Sequence, residues 1–337
     1  MIAHRAEGSC AEMTLILDAK DLVGILDYPT AIEAVEGAFR DLGSGNAVMP
    51  VRHTIRVEAH EGTSVFMPAY LTGKDQLGIK VVSAFARNRE KFGLPTVIGS
   101  ILLLDPKNGM PMAIVDGTYV TAVRTAAASA VATKYMARED ASTLGIFGSG
   151  VQGETHLLAI SEVRELDAAV VNSRDSSRCE DFCKRMSKKT GIKVRPGRPQ
   201  DVAKSDIVVT ATTSKIPVLE GSWVERGTHI NGIGSHSPQT RELDEKVVSS
   251  ARIIVDSLEA NLKEAGDFLI PMAEGRFSKE MICGELGEVV LGQKRGREKP
   301  EEITLFKSVG LAIEDVSTAS AAYAKAKSLG VGREIVL

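Results

Sequence analysis

Three cations in this chain stand where a charge is expensive. Arg52 lies in Met49-Pro50-Val51-Arg52, Lys80 in Gly78-Ile79-Lys80-Val81-Val82, and Arg124 in Thr121-Ala122-Val123-Arg124-Thr125-Ala126-Ala127. Among apolar or small neighbours a charge needs a partner, and a small carboxylate ligand would be one for all three. For any single cation the alternatives are an internal salt bridge or an edge position facing water. His236, in Gly234-Ser235-His236-Ser237-Pro238, follows an expected strand and could exchange protons near neutral pH.

A second group of residues is suited to holding phosphate. Gly148, Gly150 and Gly153 follow the apolar run Thr143-Leu144-Gly145-Ile146-Phe147 and precede Glu154-Thr155-His156-Leu157, a strand, tight turn and helix. Such glycines permit the turn, the approach of backbone to a pyrophosphate, and helix-on-strand packing, with phosphate at the helix N-terminus. The loop between them contributes Ser149, Val151 and Gln152. The next strand closes on Asn172-Ser173-Arg174 rather than on a carboxylate, with Arg178 near by. Two arginines there favour a ribose 2′-phosphate, hence NADP(H), while Asp175 could restore NAD(H). Ala211, Thr212 and Thr213 follow a later strand and Gly234 another, at the carboxyl edge where a flat ring would fit.

The elements that must position these residues fall into two textures. Pro29 to Leu42 has helical spacing of apolar residues; Val51–Val57, Ser64–Met67, Gly78–Ser83, Val97–Leu104 and Met112–Val115 read as strands, with a hairpin signal at Asn108-Gly109. The Ala- and Ser-rich stretch from Tyr119 to Met136 predicts a helix that another element can approach closely, and a domain boundary falls within it. Beyond it strand and helix alternate: strands at Asp167–Val171, Asp206–Thr210, Thr228–Asn231, Arg252–Asp256 and Ile303–Phe306, helices at Ser176–Lys189, Leu258–Ala265 and Leu311–Leu329. Alternation of this kind predicts a parallel sheet covered on both faces. Gln293 to Glu302 is a solvated loop.

A length of 337 residues suggests two domains, and a net charge of -3 without a basic run argues against nucleic acid or another polyanion as partner. Cys10, Cys179, Cys183 and Cys283 are scattered and lack the second pair a zinc site needs, so they are read as free thiols, with no metal expected. The Met1 to Met13 segment has no apolar core and does not read as a signal peptide. No span approaches a transmembrane helix, and a cytoplasmic protein is expected.

Taken together, Met49-Pro50-x-Arg52, Met67-Pro68-Ala69-Tyr70, Gly78-x-Lys80, the run from Leu94-Pro95-Thr96 to Asp105, Thr121-Ala122-x-Arg124-Thr125-Ala126-Ala127, Gly148 to Gly153, Arg241-Glu242-Leu243-Asp244 and Phe306-Lys307-Ser308-x-Gly310-x-Ala312-x-Glu314-Asp315 resemble the ornithine cyclodeaminase and mu-crystallin family. The resemblance covers about Leu15 to Leu329. It implies an α/β fold in which a Rossmann, doubly wound parallel sheet (residues 126–310) is inserted in a second, β-rich α+β domain for substrate binding and dimerisation (1–125 plus 311–337). It implies a homodimer, a substrate carboxylate held by Arg52, Lys80 and Arg124, and a cofactor lined by Thr125, the glycine loop, Val309 and Gly310.

Members of that family pass a hydride between nicotinamide and the α-carbon of an amino acid or its imine. Two departures bear on which member this chain is similar to. The cyclodeaminases have an aspartate where this chain has His236, and a glutamate where it has Val65-Phe66 before the Met-Pro step. Those carboxylates suit the side-chain ammonium of ornithine. The expectation is therefore an NAD(P)H-dependent reductase of a small α-imino acid or cyclic ketimine carboxylate, or a reductive aminase of an α-keto acid. Lys80 or His236 would carry the proton. The alternatives are an ornithine cyclodeaminase and a non-catalytic NADPH- and ligand-binding protein.

Overall fold

The computed structural model describes residues 13–336; Cys10 and nearly all of the opening segment lie outside the described residues. Two sheets of eight strands organise the chain. The first begins with β1 (Thr14–Leu17), β2 (Ala47–Val48), β3 (His53–Val57), β4 (Gly62–Leu71), β5 (Gln76–Phe85), β6 (Val97–Leu104) and β7 (Pro111–Asp116). The second holds β8 (Thr143–Phe147), β9 (Ala168–Asn172), β10 (Lys193–Pro196), β11 (Ile207–Thr210), β12 (His229–Gly232), β13 (Arg252–Val255), β14 (Ile282–Glu285) and β15 (Thr304–Lys307). A last strand, β16 (Arg333–Ile335), returns to pair with β1 in the first sheet.

From β3 to β7 the first sheet is an antiparallel meander, with β2 also antiparallel to β4 and β1 added parallel to β7. The expected strands are present, though β3 starts at His53 and β4 and β5 are longer than the apolar runs suggest, because pairing continues into half-exposed residues. Gly109 takes a left-handed φ of 78° and its N–H donates to Asp105, which makes the β6–β7 connection wider than a two-residue turn.

The second sheet is parallel throughout, in the order β10-β9-β8-β11-β12-β15-β13-β14. Its order reverses between β8 and β11, and ligands of such sheets bind outside the carboxyl ends at that point. The chain supplies small residues there: Gly148 to Gly150 after β8 and Ala211 to Thr213 after β11.

The Gly117–Met136 helix joins the two sheets. Asp116 caps it by accepting from the Tyr119 N–H at 2.7 Å. It is buried around nearly its whole circumference, which its Ala and Ser side chains allow. It packs against the Tyr28–Gly43 and Val151–Ser161 helices and against β6 and β12. The Ala312–Leu329 helix lies on β4, β5 and β6, so the end of the chain completes the first half. The short β10, the Pro199–Ala203 and Gly266–Ala273 helices and β1 are not evident from periodicity, being too brief to repeat a pattern.

Candidate active site

Along the carboxyl edge of the second sheet runs a cleft with two lobes, the second of which also reaches the first sheet. One, about 520 Å³, is lined by Gly148, Ser149, Gly150, Asn172, Ser173, Arg174 and Arg178 among others. The other, about 380 Å³, is lined by Arg52, Lys80, Arg124, Thr125, Gln152, Gly234, His236, Val309 and Gly310 among others. Ala211, Thr212 and Thr213 line both, so the lobes adjoin at the end of β11. Of the expected site residues only Val151 lines neither lobe; it stands two-thirds exposed at the start of its helix.

The first lobe fits a dinucleotide on this structure's own features. Gly148 has φ 112°, closed to ordinary side chains, and its N–H donates to Asn172 at 2.8 Å. A Cβ on Gly153 would collide with the Gly148 carbonyl, so that glycine brings helix and strand together. Gly150 caps the Val151–Ser161 helix without a side-chain bond, leaving the first-turn N–H groups for a phosphate. Asn172 is turned away, donating to the Gly197 carbonyl at 2.8 Å. Arg174 and Arg178 border the lobe; Arg178 pairs with Asp175 at 3.3 Å, and Asp175 is already engaged capping the Ser176–Thr190 helix.

In the second lobe each cation has an internal carboxylate partner, the salt-bridge alternative that the sequence left open for each of them. Lys80, on β5, pairs with Asp315 at 2.5 Å. Arg124 donates to Asp315 at 2.9 Å and to Glu314 at 2.7 Å. Both carboxylates are fully buried in the first turn of the Ala312–Leu329 helix, where the helix dipole favours negative charge. Arg52 pairs with Glu264 at 3.0 Å and donates to the Gly310 carbonyl at 2.6 Å. The internal salt bridges thus orient the three cations, and each still borders the cleft.

Burial lowers the Lys80 ammonium from 10.5 to about 8, with Asp315 opposing the fall. Burial also raises Glu314 to about 7 against the pull of Arg124. His236 keeps solvent contact at the cleft mouth; its Nδ1 donates to Gly234 at 3.1 Å, which leaves Nε2 free to accept. The protein crowded around that ring, and then the Lys307 charge, hold it below its ordinary value.

Four residues that set this geometry carried no assigned role in the sequence. Glu314 and Asp315 were visible only as part of a motif, and so was Glu242. Asp256, at the end of β13, accepts from Ser308, Val309 and Gly310 at 2.9, 2.8 and 2.7 Å and so shapes the loop beneath Arg124. Only the fold brings it to that loop.

A family model described as the ornithine cyclodeaminase/mu-crystallin family matches residues 12–330. The chain belongs to that family. A solved structure of Thermococcus litoralis delta(1)-pyrroline-2-carboxylate reductase, in complex with NADH and L-proline, superposes with a TM-score of 0.92 at 47% identity, covering 96% of this chain and all of the other. An archaeal alanine dehydrogenase, solved as a dimer with bound NAD, gives a TM-score of 0.91 at 36% identity over 96% and 99% of the two chains. The ketimine reductase mu-crystallin of Rattus norvegicus is 36% identical over 87% of this chain and 90% of its own. The mixed α/β fold with its Rossmann-type sheet is thus shared across this family. No described helix is long and apolar enough to cross a membrane.

Proposed function

We propose that this protein is an NAD(P)H-dependent reductase of a small α-imino acid or cyclic ketimine carboxylate, or a reductive aminase of an α-keto acid. The observation that carries this reading is the junction of the two lobes at Ala211–Thr213, which sets a dinucleotide site against a pocket bordered by Arg52, Lys80 and Arg124. A reduced nicotinamide, when bound, supplies the hydride. The protein's residues do the rest. Arg52 and Arg124 hold the carboxylate by charge-assisted hydrogen bonds and so orient the C=N carbon. Lys80, at about 8, carries at neutral pH a proton that it can give to the imine nitrogen, with His236 as the alternative carrier.

No acidic residue is among the described residues lining the catalytic lobe. A substrate with a second ammonium finds no partner there, which favours a reductase over an ornithine cyclodeaminase. Arg174 and Arg178 beside the first lobe favour NADP(H), with NAD(H) also accepted, as in the NADH-bound relative. Residues 1–125 with 311–337 form the substrate and dimerisation domain and 126–310 the dinucleotide domain. Exposed Val51 and Ile55 at the β3 edge of the first sheet, exposed Val97 and Ile98 at the start of β6, and the dimeric alanine dehydrogenase support a homodimer.

The test is a panel of pyrroline-2-carboxylate, piperideine-2-carboxylate, and pyruvate with ammonia, each assayed with NADPH and NADH by loss of absorbance of the reduced cofactor. Turnover of a cyclic imine, faster with NADPH, is expected. Dinucleotide binding with no turnover anywhere on the panel would support a non-catalytic binder instead, and proline with ammonia released from ornithine would restore the cyclodeaminase.

A further inference from the structure

The Arg241-Glu242-Leu243-Asp244 stretch lies behind the cleft rather than in it, yet one of its carboxylates reaches both loops that line it. Glu242 is fully buried. Its Oε1 accepts from the Thr212 N–H and the Thr212 hydroxyl, both at 2.6 Å, and its Oε2 accepts from the Gly234 N–H at 2.7 Å. Thr212 follows β11 and lines both lobes; Gly234 follows β12 and lines the second. A single side chain therefore fixes the spacing of the two strand ends on which a nicotinamide would rest.

Glu242 is itself braced. Its N–H and that of Leu243 donate to Asp267 at 2.7 and 3.0 Å. Asp267 pairs at 3.1 Å with the buried Lys307, whose ammonium donates to the Gly232 and Ser235 carbonyls at 3.1 and 2.7 Å. Burial, with Asp267 adding to it, raises the Glu242 carboxyl, while every one of its contacts is a donor that favours the ionised form. Gly234 has no room for a side chain: a Cβ there would meet the Glu242 carboxyl and the Thr212 carbonyl.

We infer that Glu242 is a positioning residue for the dinucleotide, holding the β11 and β12 loops at the separation the nicotinamide half requires. This rests on the reductase reading above. In E242Q one loop keeps an acceptor, while the new amide group faces the N–H of the other, so the staple opens on one side.

The experiment titrates NADH into the purified full-length protein by fluorescence, with no substrate present, and records thermal midpoints alongside. E242Q is expected to weaken NADH binding about tenfold or more. Its KM for the dinucleotide should rise far more than its KM for the imine, a split that general loosening of the fold does not produce. T212V, which removes the hydroxyl and with it both the bond to Glu242 and the acceptor for the Ser214 N–H, should weaken NADH more than T212S, which keeps both. An E242Q protein that folds and binds NADH as tightly as the parent overturns the inference. If E242Q does not fold, equal affinities of T212V and T212S overturn it. Failure of the parent itself to bind either NADH or NADPH would instead overturn the reductase reading on which it rests.

Discussion

The sharpest consequence of the buried charge cluster concerns Asp315→Asn. Lys80 and Asp315 meet at 2.5 Å with 2% and 0% of their side chains exposed, so little water screens the pair. Lys80 stands at about 8 because Asp315 offsets part of the cost of burial. An opposite charge at this range shifts a pKa by about 1–3 units, so its removal should bring Lys80 down to roughly 5–7. For a fall of about two units, the protonated fraction at pH 7.5 drops from roughly 75% to roughly 3%, and turnover falls roughly 25-fold. If Lys80 gives its proton to the imine nitrogen, kcat declines as pH rises through the Lys80 value. The assay is therefore kcat against pH at saturating imine and NADPH, which reports groups in the bound complex. The parent should show a falling limb near 8, and D315N the same limb at lower pH with the rate largely recovered in acid. K80R, which keeps a charge but does not release its proton, should lose the limb. An unmoved limb in D315N, or a retained one in K80R, would remove Lys80 from the proton transfer.

Other outcomes follow from single contacts. R174A should lower kcat/KM with NADPH by about tenfold, the value of one charge-assisted bond to a phosphate, and leave NADH nearly unchanged; an equal loss with both would place Arg174 away from the 2′-phosphate. His156 is fully buried between the Gly117–Met136 and Val151–Ser161 helices, bonded to Ser129 at 2.9 Å and Gln152 at 2.7 Å. Burial lowers it from 6.5 to about 4. The unfolded chain therefore binds more protons between these values, and stability present above pH 6.5 is lost as pH falls toward 4, with up to about 1.4 kcal/mol per pH unit from this residue. Urea unfolding at several pH values should show that slope, reduced in H156Q but not abolished, because His229 is lowered to about 3 by the same cause. An H156Q slope equal to the parent's would mean that the imidazole is not what titrates.

Much of the dinucleotide half is legible in one dimension because its signals are local. Gly148, Gly150 and Gly153 are close in sequence and answer to one turn and one helix end, and the strands of a parallel sheet are apolar runs with breakers between them. The expected β8, β9, β11, β12, β13 and β15 lie within a residue or two of their places for that reason. Strands in the first sheet were harder to bound, since half-exposed residues continue the pairing, and elements as short as β10 or β16 carry no period at all.

The sequence by itself determined which residues could do chemistry: a charge among apolar neighbours, and a glycine cluster after a strand, are statements about local cost and local geometry. What it left open was the company those residues keep. Arg124 and Glu314 are separated by 190 positions and Arg52 and Gly310 by 258, and only the return of the chain to the first sheet brings them together. The same is true of Glu242, which reaches Thr212 across 30 positions to hold two loops that no periodicity relates. Pairing of buried charges is a property of distance in space, and distance in space is set by how the two sheets pack on the Gly117–Met136 helix. The cost of each charge was therefore readable from its neighbours in the chain, while the group that offsets it was decided by the tertiary fold.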